Sequence, residues 1–169
     1  VTLPALHIED APRFAWRGLM LDSARHFQSV EEIKRLLDAM AQLKLDTFHW
    51  HLTDDQGWRF PVPGWPKLTE VGNCRIPAGD GGIDTMTGKP VPYCGVYTEA
   101  QVREVVAHAA SLHIDVVPEV DIPGHATAAI SAYPQLGVSG NPIAVSNEWG
   151  VKVNLFNADE TTRRFHEDV

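Results

Sequence analysis

The order of apolar and polar positions predicts three short strands and two amphipathic helices between residues 17 and 121. The runs RGLMLD (17–22), DTFHWHL (46–52) and IDVVPEVD (114–121) are apolar and are closed or followed by acidic residues, which is typical of buried strands. Between them, apolar side chains recur at helical spacing. They are Ile33, Leu36, Leu37, Met40 and Leu43 in the first helix, and Val102, Val105, Val106, Ala109 and Leu112 in the second.

Capping boxes mark the predicted starts of both helices. Ser29 precedes Glu32 by three residues, and Thr98 stands in the same relation to Gln101. In such a pair each side chain satisfies an exposed backbone N–H of the other residue. The two helices are therefore expected to begin directly after Ser29 and Thr98.

Two further helices are predicted after the third strand. The segment PGHATAAISAYPQLG (123–137) indicates a short helix closed by Pro134. A last helix is expected to begin near Asn157, with Asn157 as its cap and Glu160 in the supporting position.

The alternation of strands and helices predicts an α/β fold with a parallel sheet and right-handed crossovers. Polar residues cluster at the carboxyl end of every predicted strand, where the chemistry of α/β barrels collects. We therefore expect residues 13–169 to form a partial (β/α)8 TIM barrel, consisting of its first three βα units and truncated before the fourth strand. Residues 1–12 are expected to be a lead-in from an upstream segment or domain. A small open α/β sheet is the alternative.

The connection from residue 53 to about residue 97 is long, and its aromatic content favours an ordered, functional loop. Within it, Cys74 and Cys94 bracket a stretch rich in Gly, Pro and Asp. They form either a disulfide or two free thiols. A disulfide would favour a periplasmic or secreted location, because such bonds persist in oxidising compartments.

The chain has 169 residues, with 14 Lys and Arg against 22 Asp and Glu, which gives a formal net charge of −8. Nucleic acids and anionic membranes attract basic faces, so this charge argues against both as partners. No apolar run approaches the roughly 20 residues that a bilayer span needs. The amino terminus also lacks the pattern of a signal peptide.

His49 and His51 form an H-x-H pair, whose side chains project from one face of the second strand. Such a pair suits a metal ion, with Glu119, Asp121 or His125 as further ligands. It also suits residues that fill a barrel interior and bond to polar neighbours, or that support another site.

Arg25 and the segment PEVDIPGH (118–125) supply other candidates. Arg25 follows the first strand and offers five fixed donors for substrate hydroxyls, or a salt bridge to Asp22 or Asp54. His125 lies near Asp121 and is suited to carry or relay a proton, unless it is a buried histidine with satisfied hydrogen bonds.

Three long motifs together resemble glycoside hydrolase family 20, the β-N-acetylhexosaminidases. They are WRGLMLDSARHF (16–27), FHWHLTDDQGWRF (48–60) and YTEAQVREVVAHAASLHIDVVPEVDIPGHATAA (97–129). The resemblance implies a (β/α)8 barrel that hydrolyses terminal β-linked N-acetylglucosamine or N-acetylgalactosamine from oligosaccharides or glycoconjugates, without metal or cofactor. The implied mechanism is substrate-assisted. The acetamido oxygen of the sugar attacks the anomeric carbon, while a glutamic acid protonates the leaving oxygen.

The resemblance also assigns roles to four residues. Arg25 matches the arginine that binds the sugar hydroxyls, and Asp121 matches an acidic residue near the same site. Asp54 and His125 match a couple that supports the acid–base glutamate.

The catalytic Asp-Glu pair of this family follows two glycines on the fourth strand, which we expect to lie outside these 169 residues. Asp159-Glu160 lacks the glycines and is interpreted as a helix start. The piece alone is therefore expected to be inactive without the remainder of the barrel. A metal-dependent barrel hydrolase and a non-catalytic carbohydrate-binding fragment stay as alternatives.

Overall fold

The computed structural model describes residues 4–77 and 82–169. Its strands are β1 (Gly18–Asp22), β2 (Thr47–His51), β3 (Thr53–Asp54), β4 (Gly57–Trp58), β5 (Cys74–Arg75), β6 (Tyr93–Cys94) and β7 (Asp115–Glu119). Its helices are α1 (Val30–Gln42), α2 (Lys67–Glu70), α3 (Glu99–Ser111), α4 (Thr127–Ala132) and α5 (Glu160–Asp168), and Pro134–Leu136 form a 3-10 turn. Among the described residues, no helix is long and apolar enough to cross a membrane.

The central element is a parallel sheet with the strand order β1–β2–β7. Helices α1 and α3 connect its strands, so the predicted α/β fold is confirmed. The register pairs Asp22 with His51 and His51 with Glu119. The polar carboxyl ends of the three strands therefore lie side by side.

Both predicted capping boxes form, and each helix begins where the sequence indicates. The predicted apolar stripe of α1 is wrong at Leu43, which is 73% exposed. Leu43 leaves the apolar face because α1 ends at Gln42 and Leu43 is its C-cap. Lys44 then adopts a left-handed backbone, with φ of 58°, and turns the chain towards β2.

The two faces of the sheet differ in what covers them. Phe48 and Trp50 of β2 are buried in an apolar core with Ile33, Leu37, Met40, Val105 and Ala109 of the helices. Because side chains alternate along a strand, His49 and His51 lie on the opposite face. There His49 is in register with Met20 and Val117, both of which remain exposed.

The long connection is ordered in its described parts. It contains the β3–β4 hairpin, the short helix α2 and the antiparallel pair β5–β6. Cys74 and Cys94 face each other across that pair and form a disulfide, which decides between the two alternatives for the cysteines. Residues 78–81 of the bracketed stretch lie outside the described residues.

A second apolar core packs the connection against the carboxyl-terminal helices. Trp58, Leu68, Ile130, Leu136 and Phe165 are all buried in it. Helix α4 ends at Ala132, and Pro134 begins the 3-10 turn, as the predicted helix end requires.

The predicted cap of the last helix is wrong by two residues. Asp159, and not Asn157, occupies the N-cap position of α5, and its side chain makes no capping hydrogen bond. Asn157 acts from outside the helix, where its Oδ1 accepts from the backbone N–H of Asp159 and from the hydroxyl of Thr162. The side chain of Glu160 pairs with Arg163 on the same helix. This arrangement agrees with a structural role for Asp159-Glu160.

Candidate active site

The carboxylate of Asp54 is the centre of a polar cluster at the carboxyl end of the sheet. The residue is 1% exposed and lies in β3, directly after β2. Its Oδ2 is 2.6 Å from Nη2 of Arg25 and 2.8 Å from Nε2 of His51. Its Oδ1 is 3.0 Å from Nδ1 of His125 and accepts the N–H of Asp55. Three separate segments of the chain therefore meet at one carboxylate.

Asp54 is held ionised in this cluster. Burial by itself raises the pKa of a carboxyl group, since it disfavours the charged form. The hydrogen bonds from His51 and from the N–H of Asp55, together with the charges of Arg25 and His125, outweigh burial and lower the pKa of Asp54. The carboxylate therefore acts as an acceptor for its neighbours at neutral pH.

Arg25 forms both of the salt bridges that the sequence left open. Its Nη1 is 2.6 Å from Oδ2 of Asp22, and its Nη2 bonds to Asp54. Burial opposes the charge, but the two carboxylates outweigh it and raise the pKa of Arg25. Its Nε is buried and has no hydrogen-bond partner among the described residues. The guanidinium is thus rigidly placed at the end of β1.

His125 is fixed by two carboxylates. Besides Asp54, its Nδ1 lies 3.3 Å from Oδ2 of Asp55. Asp55 is fully buried and also accepts from the N–H and the hydroxyl of Thr127, at the start of α4. His125 itself adopts a left-handed backbone, with φ of 52°. Asp55 is therefore a second anchor of the site, and the sequence alone gave it no separate role.

His51 links Asp54 to the third strand of the sheet. Its Nδ1 is 3.1 Å from Oε2 of Glu119, and its other nitrogen bonds to Asp54. Burial lowers the pKa of an imidazole, but the bond to Asp54 and the charges of Asp22 and Glu119 outweigh it and raise the pKa of His51 to about 9. His51 is therefore a cation at neutral pH.

Glu119 and Asp121 interact beside His51. Burial raises the pKa of Asp121, and so do its hydrogen bond to Glu119 and the charge of that group. Burial also tends to raise the pKa of Glu119. The hydrogen bond from Asp121 and the charge of His51 outweigh burial, however, and lower the pKa of Glu119. His49 also pairs with Glu119. Asp121 thus lies in this neighbouring cluster, without a direct bond to Arg25 or Asp54 among the contacts of the described residues.

Two groups in the site have the residue types of a metal centre. The ligand atoms of His51, Glu119 and Asp121 lie within 4.8 Å of one another, as do those of Asp54, Asp55 and His125. In the structure these side chains pair with one another: His51 pairs with Asp54 and Glu119, and His125 pairs with Asp54 and Asp55.

Arg59 holds the backbone just before Arg25, a role that was not predicted from the sequence. It is fully buried, and its guanidinium donates to the carbonyl groups of Ser23 (2.9 Å), Asn73 (2.8 Å) and Gly95 (2.9 Å). Burial and the charge of Arg75 lower the pKa of Arg59 to about 10. Arg59 joins the segment before Arg25 to the β5–β6 region.

The sequence matches the family described as "Glycosyl hydrolase family 20, catalytic domain" over residues 14–169. The chain belongs to this family. A beta-hexosaminidase of Porphyromonas gingivalis is 44% identical over 170 residues, covering 100% of this chain and 21% of that protein.

The fold is similar to solved structures of beta-hexosaminidases. A crystal structure of a beta-N-acetylhexosaminidase has a TM-score of 0.86 and 40% identity, and covers 94% of this chain and 33% of that chain. A mutant Streptomyces plicatus beta-hexosaminidase in complex with product (GlcNAc) has a TM-score of 0.80 and 38% identity, and covers 94% of this chain and 30% of that chain. The chain thus spans only about a fifth to a third of the length of these proteins.

Proposed function

We propose that this chain is part of a retaining β-N-acetylhexosaminidase, which hydrolyses terminal β-linked N-acetylglucosamine or N-acetylgalactosamine. The observation that carries the proposal is the buried carboxylate of Asp54, which holds Arg25 and His125 in one polar cluster at the carboxyl end of the sheet. Family membership and the names of the relatives support it. The product complex of the Streptomyces plicatus relative supports an amino sugar as the ligand.

Arg25 is proposed to bind ring hydroxyl groups of the terminal sugar. A guanidinium offers five donors in a fixed plane, and two of its nitrogens are already oriented by Asp22 and Asp54. Because these ion pairs fix the side chain before substrate arrives, little rotamer entropy is lost on binding. Asp121 is proposed to supply a further acidic group near the bound sugar.

Asp54 and His125 are proposed to position the catalytic acid. Asp54 holds Nδ1 of His125, which leaves Nε2 as the atom that can reach a neighbouring carboxyl group. A histidine that is fixed in this way can orient a glutamic acid and tune its proton affinity. We place that glutamic acid and its preceding aspartate on a fourth strand, outside these 169 residues.

The proposed reaction is substrate-assisted. The acetamido oxygen of the sugar forms a bond to the anomeric carbon as the glycosidic C–O bond breaks, and the glutamic acid transfers its proton to the leaving oxygen. Water then attacks the anomeric carbon of the oxazolinium intermediate, the bond from that carbon to the acetamido oxygen breaks, and the glutamate accepts a proton from the water. The product is the free amino sugar, with the configuration of its anomeric carbon retained.

The remainder of the (β/α)8 barrel is the proposed structural partner. In this proposal residues 13–169 are its first three βα units, and residues 1–12 lead in from an upstream segment. The exposed side chains of Met20 and Val117, on the face that carries His49, support this, because further strands would cover them. The Cys74–Cys94 disulfide supports a periplasmic or secreted location.

The proposal is tested by hydrolysis of a chromogenic β-N-acetylglucosaminide. We expect the full-length protein, meaning the longer protein that contains this chain and the rest of the barrel, to release the chromophore. The 169-residue chain alone is expected to be at least about 10²-fold slower, because the general acid is absent. Inactive full-length protein would contradict the proposed function. Robust turnover by the isolated chain would contradict the placement of the acid.

A further inference from the structure

The backbone that carries Arg25 lies in a turn after β1. Residues 23–26 of this turn belong to no helix or strand. The salt bridges to Asp22 and Asp54 hold the guanidinium at the far end of the Arg25 side chain. The main chain of the turn needs separate support, because any shift of it moves the point from which the side chain extends.

Arg75 of β5 supplies part of this support. Its Nη2 donates to the carbonyl of Arg25 at 2.5 Å. Its Nη1 donates to the carbonyl of Gln56, two residues after Asp54, at 3.2 Å. One planar guanidinium thus bridges the turn that carries Arg25 and the hairpin that carries Asp54. This bridge sets the spacing between the backbones of the two residues that form the central salt bridge of the site.

The side chain of Arg75 is itself fixed by the neighbouring strand β6. Arg75 is in register with Tyr93, and its guanidinium carbon lies 4.7 Å from the centre of the Tyr93 ring, which is the range of a cation–π contact. The hydroxyl of Tyr93 accepts the backbone N–H of Phe27 at 2.8 Å, at the carboxyl end of the same turn. The Cys74–Cys94 disulfide joins the two strands covalently, so Arg75 and Tyr93 stay opposite each other.

We propose that Arg75 is a positioning residue for sugar binding, which holds the backbone of Arg25 where the terminal sugar requires it. The inference rests on the proposed function, in which Arg25 binds ring hydroxyl groups. A displacement of about 1 Å, even one that originates far from the reacting atoms, can lower the rate of an enzyme about 10²-fold. Arg75 acts through Arg25 and makes its contribution without a bond to the substrate.

The test is a double-mutant cycle on the full-length enzyme, with a chromogenic β-N-acetylglucosaminide as the substrate. Arg75→Met removes both donors and is expected to lower kcat/KM about tenfold, mainly through a higher KM. In the Arg25→Lys background the same substitution should lower kcat/KM less than about twofold, because the fork that Arg75 positions is already lost. A merely structural role would give the same loss in both backgrounds.

Two milder variants test the same contacts and replace Arg75→Met if that variant does not fold. Arg75→Lys keeps a donor that can reach one of the two carbonyl groups, so it should lose less kcat/KM than Arg75→Met. Tyr93→Phe keeps the aromatic face and removes only the hydroxyl that accepts from Phe27. It should lower kcat/KM about threefold, the size of one hydrogen bond, and only in enzyme that retains Arg25.

Arg17→Met is the matched control. The side chain of Arg17 also donates to backbone carbonyl groups, those of Lys44 at 2.6 Å and Phe14 at 2.8 Å, but it does so at the amino end of β1. Its substitution should lower the stability of the enzyme and leave kcat/KM unchanged.

The outcomes separate this inference from the proposed function. No loss for Arg75→Met, or equal losses with and without Arg25, would overturn the inference and leave the proposed function intact. Equal losses are also what a direct bond from Arg75 to the substrate would give. An unchanged enzyme that does not hydrolyse the substrate, or an Arg25→Lys enzyme with normal kcat/KM, would overturn the proposed role of Arg25 and this inference with it.

Discussion

The carboxylate of Asp54 lies 3.0 Å from Nδ1 of His125, although 71 residues separate them in the chain. Asp54 follows the second strand of the sheet, and His125 follows the third. Parallel strands bring their carboxyl ends to one edge, and that topology makes the contact possible. At this edge Asp54 is surrounded by the side chains of Arg25, His51 and His125. These neighbours lower the pKa of Asp54, so its carboxylate is ionised at neutral pH.

Asp54→Asn in the full-length enzyme is expected to lower kcat about tenfold or more, equivalent to about 1.4 kcal/mol. The amide keeps the shape of the side chain but removes the charge that orients His125 and Arg25. The acid limb of the pH–rate profile should shift as well, because the environment of the catalytic acid changes.

Asp38→Asn is the matched control for this substitution. Asp38 forms a similar pair with His108, at 2.8 Å, but on the surface between α1 and α3. Asp38→Asn should leave both kcat and the pH–rate profile unchanged. A normal profile in Asp54→Asn would argue against a positioning role for Asp54.

Arg25→Lys is expected to lower kcat/KM about 10- to 100-fold, mainly through a higher KM. Lysine keeps the positive charge but loses the planar fork, and bonds to charged groups contribute about 1.5–3 kcal/mol each. Steady-state kinetics on a chromogenic substrate measure the effect. Arg103→Lys, on the exposed face of α3, serves as the control. A change below about twofold would contradict sugar binding by Arg25.

The imidazole of His51 is expected to titrate at about 9, and it can be followed by NMR with His51→Gln to assign its signal. Because the pKa in the folded state is above the ordinary value of 6.5, His51 contributes stability that is fully present below pH 6.5. That contribution is lost as the pH rises through about 9. In His51→Gln the free energy of unfolding should not show this decrease as the pH rises through about 9. Titration near 6.5 would contradict the ion-pair arrangement.

Arg59→Met is expected to lower the free energy of unfolding by about 3 kcal/mol or more. The substitution leaves the carbonyl groups of Ser23, Asn73 and Gly95 without their donor. Urea denaturation measures the change. Arg103→Met removes an arginine from the surface and should have little effect. Equal stability of the two variants would show that Arg59 does not hold these segments together.

The sequence predicted those elements whose signals are local. Apolar runs located the three strands, and the capping boxes at Ser29 and Thr98 located the starts of α1 and α3. The acids after each strand led to Asp54, because an α/β topology gathers strand ends at one edge. The resemblance to family 20 linked Asp54 with Arg25 and His125, and the structure places these three side chains in contact.

The features that the sequence missed depend on contacts between distant segments. Arg59 looks like an ordinary loop arginine, and its burial follows only from the carbonyl groups that surround it. Leu43 fits the helical period, but the helix ends one residue before it. His51 was open to three interpretations until Glu119 and Asp54 were found on either side of its ring. Such pairings have no periodicity along the chain.

The most direct test of the proposed function is a crystal structure of the full-length enzyme with N-acetylglucosamine bound. We expect guanidinium nitrogens of Arg25 within about 3 Å of ring hydroxyl oxygens. We also expect Nε2 of His125, held by Asp54, at hydrogen-bond distance from the carboxyl group of the catalytic glutamic acid. A sugar bound away from Arg25, or an acid that does not contact His125, would contradict the proposed function of this site.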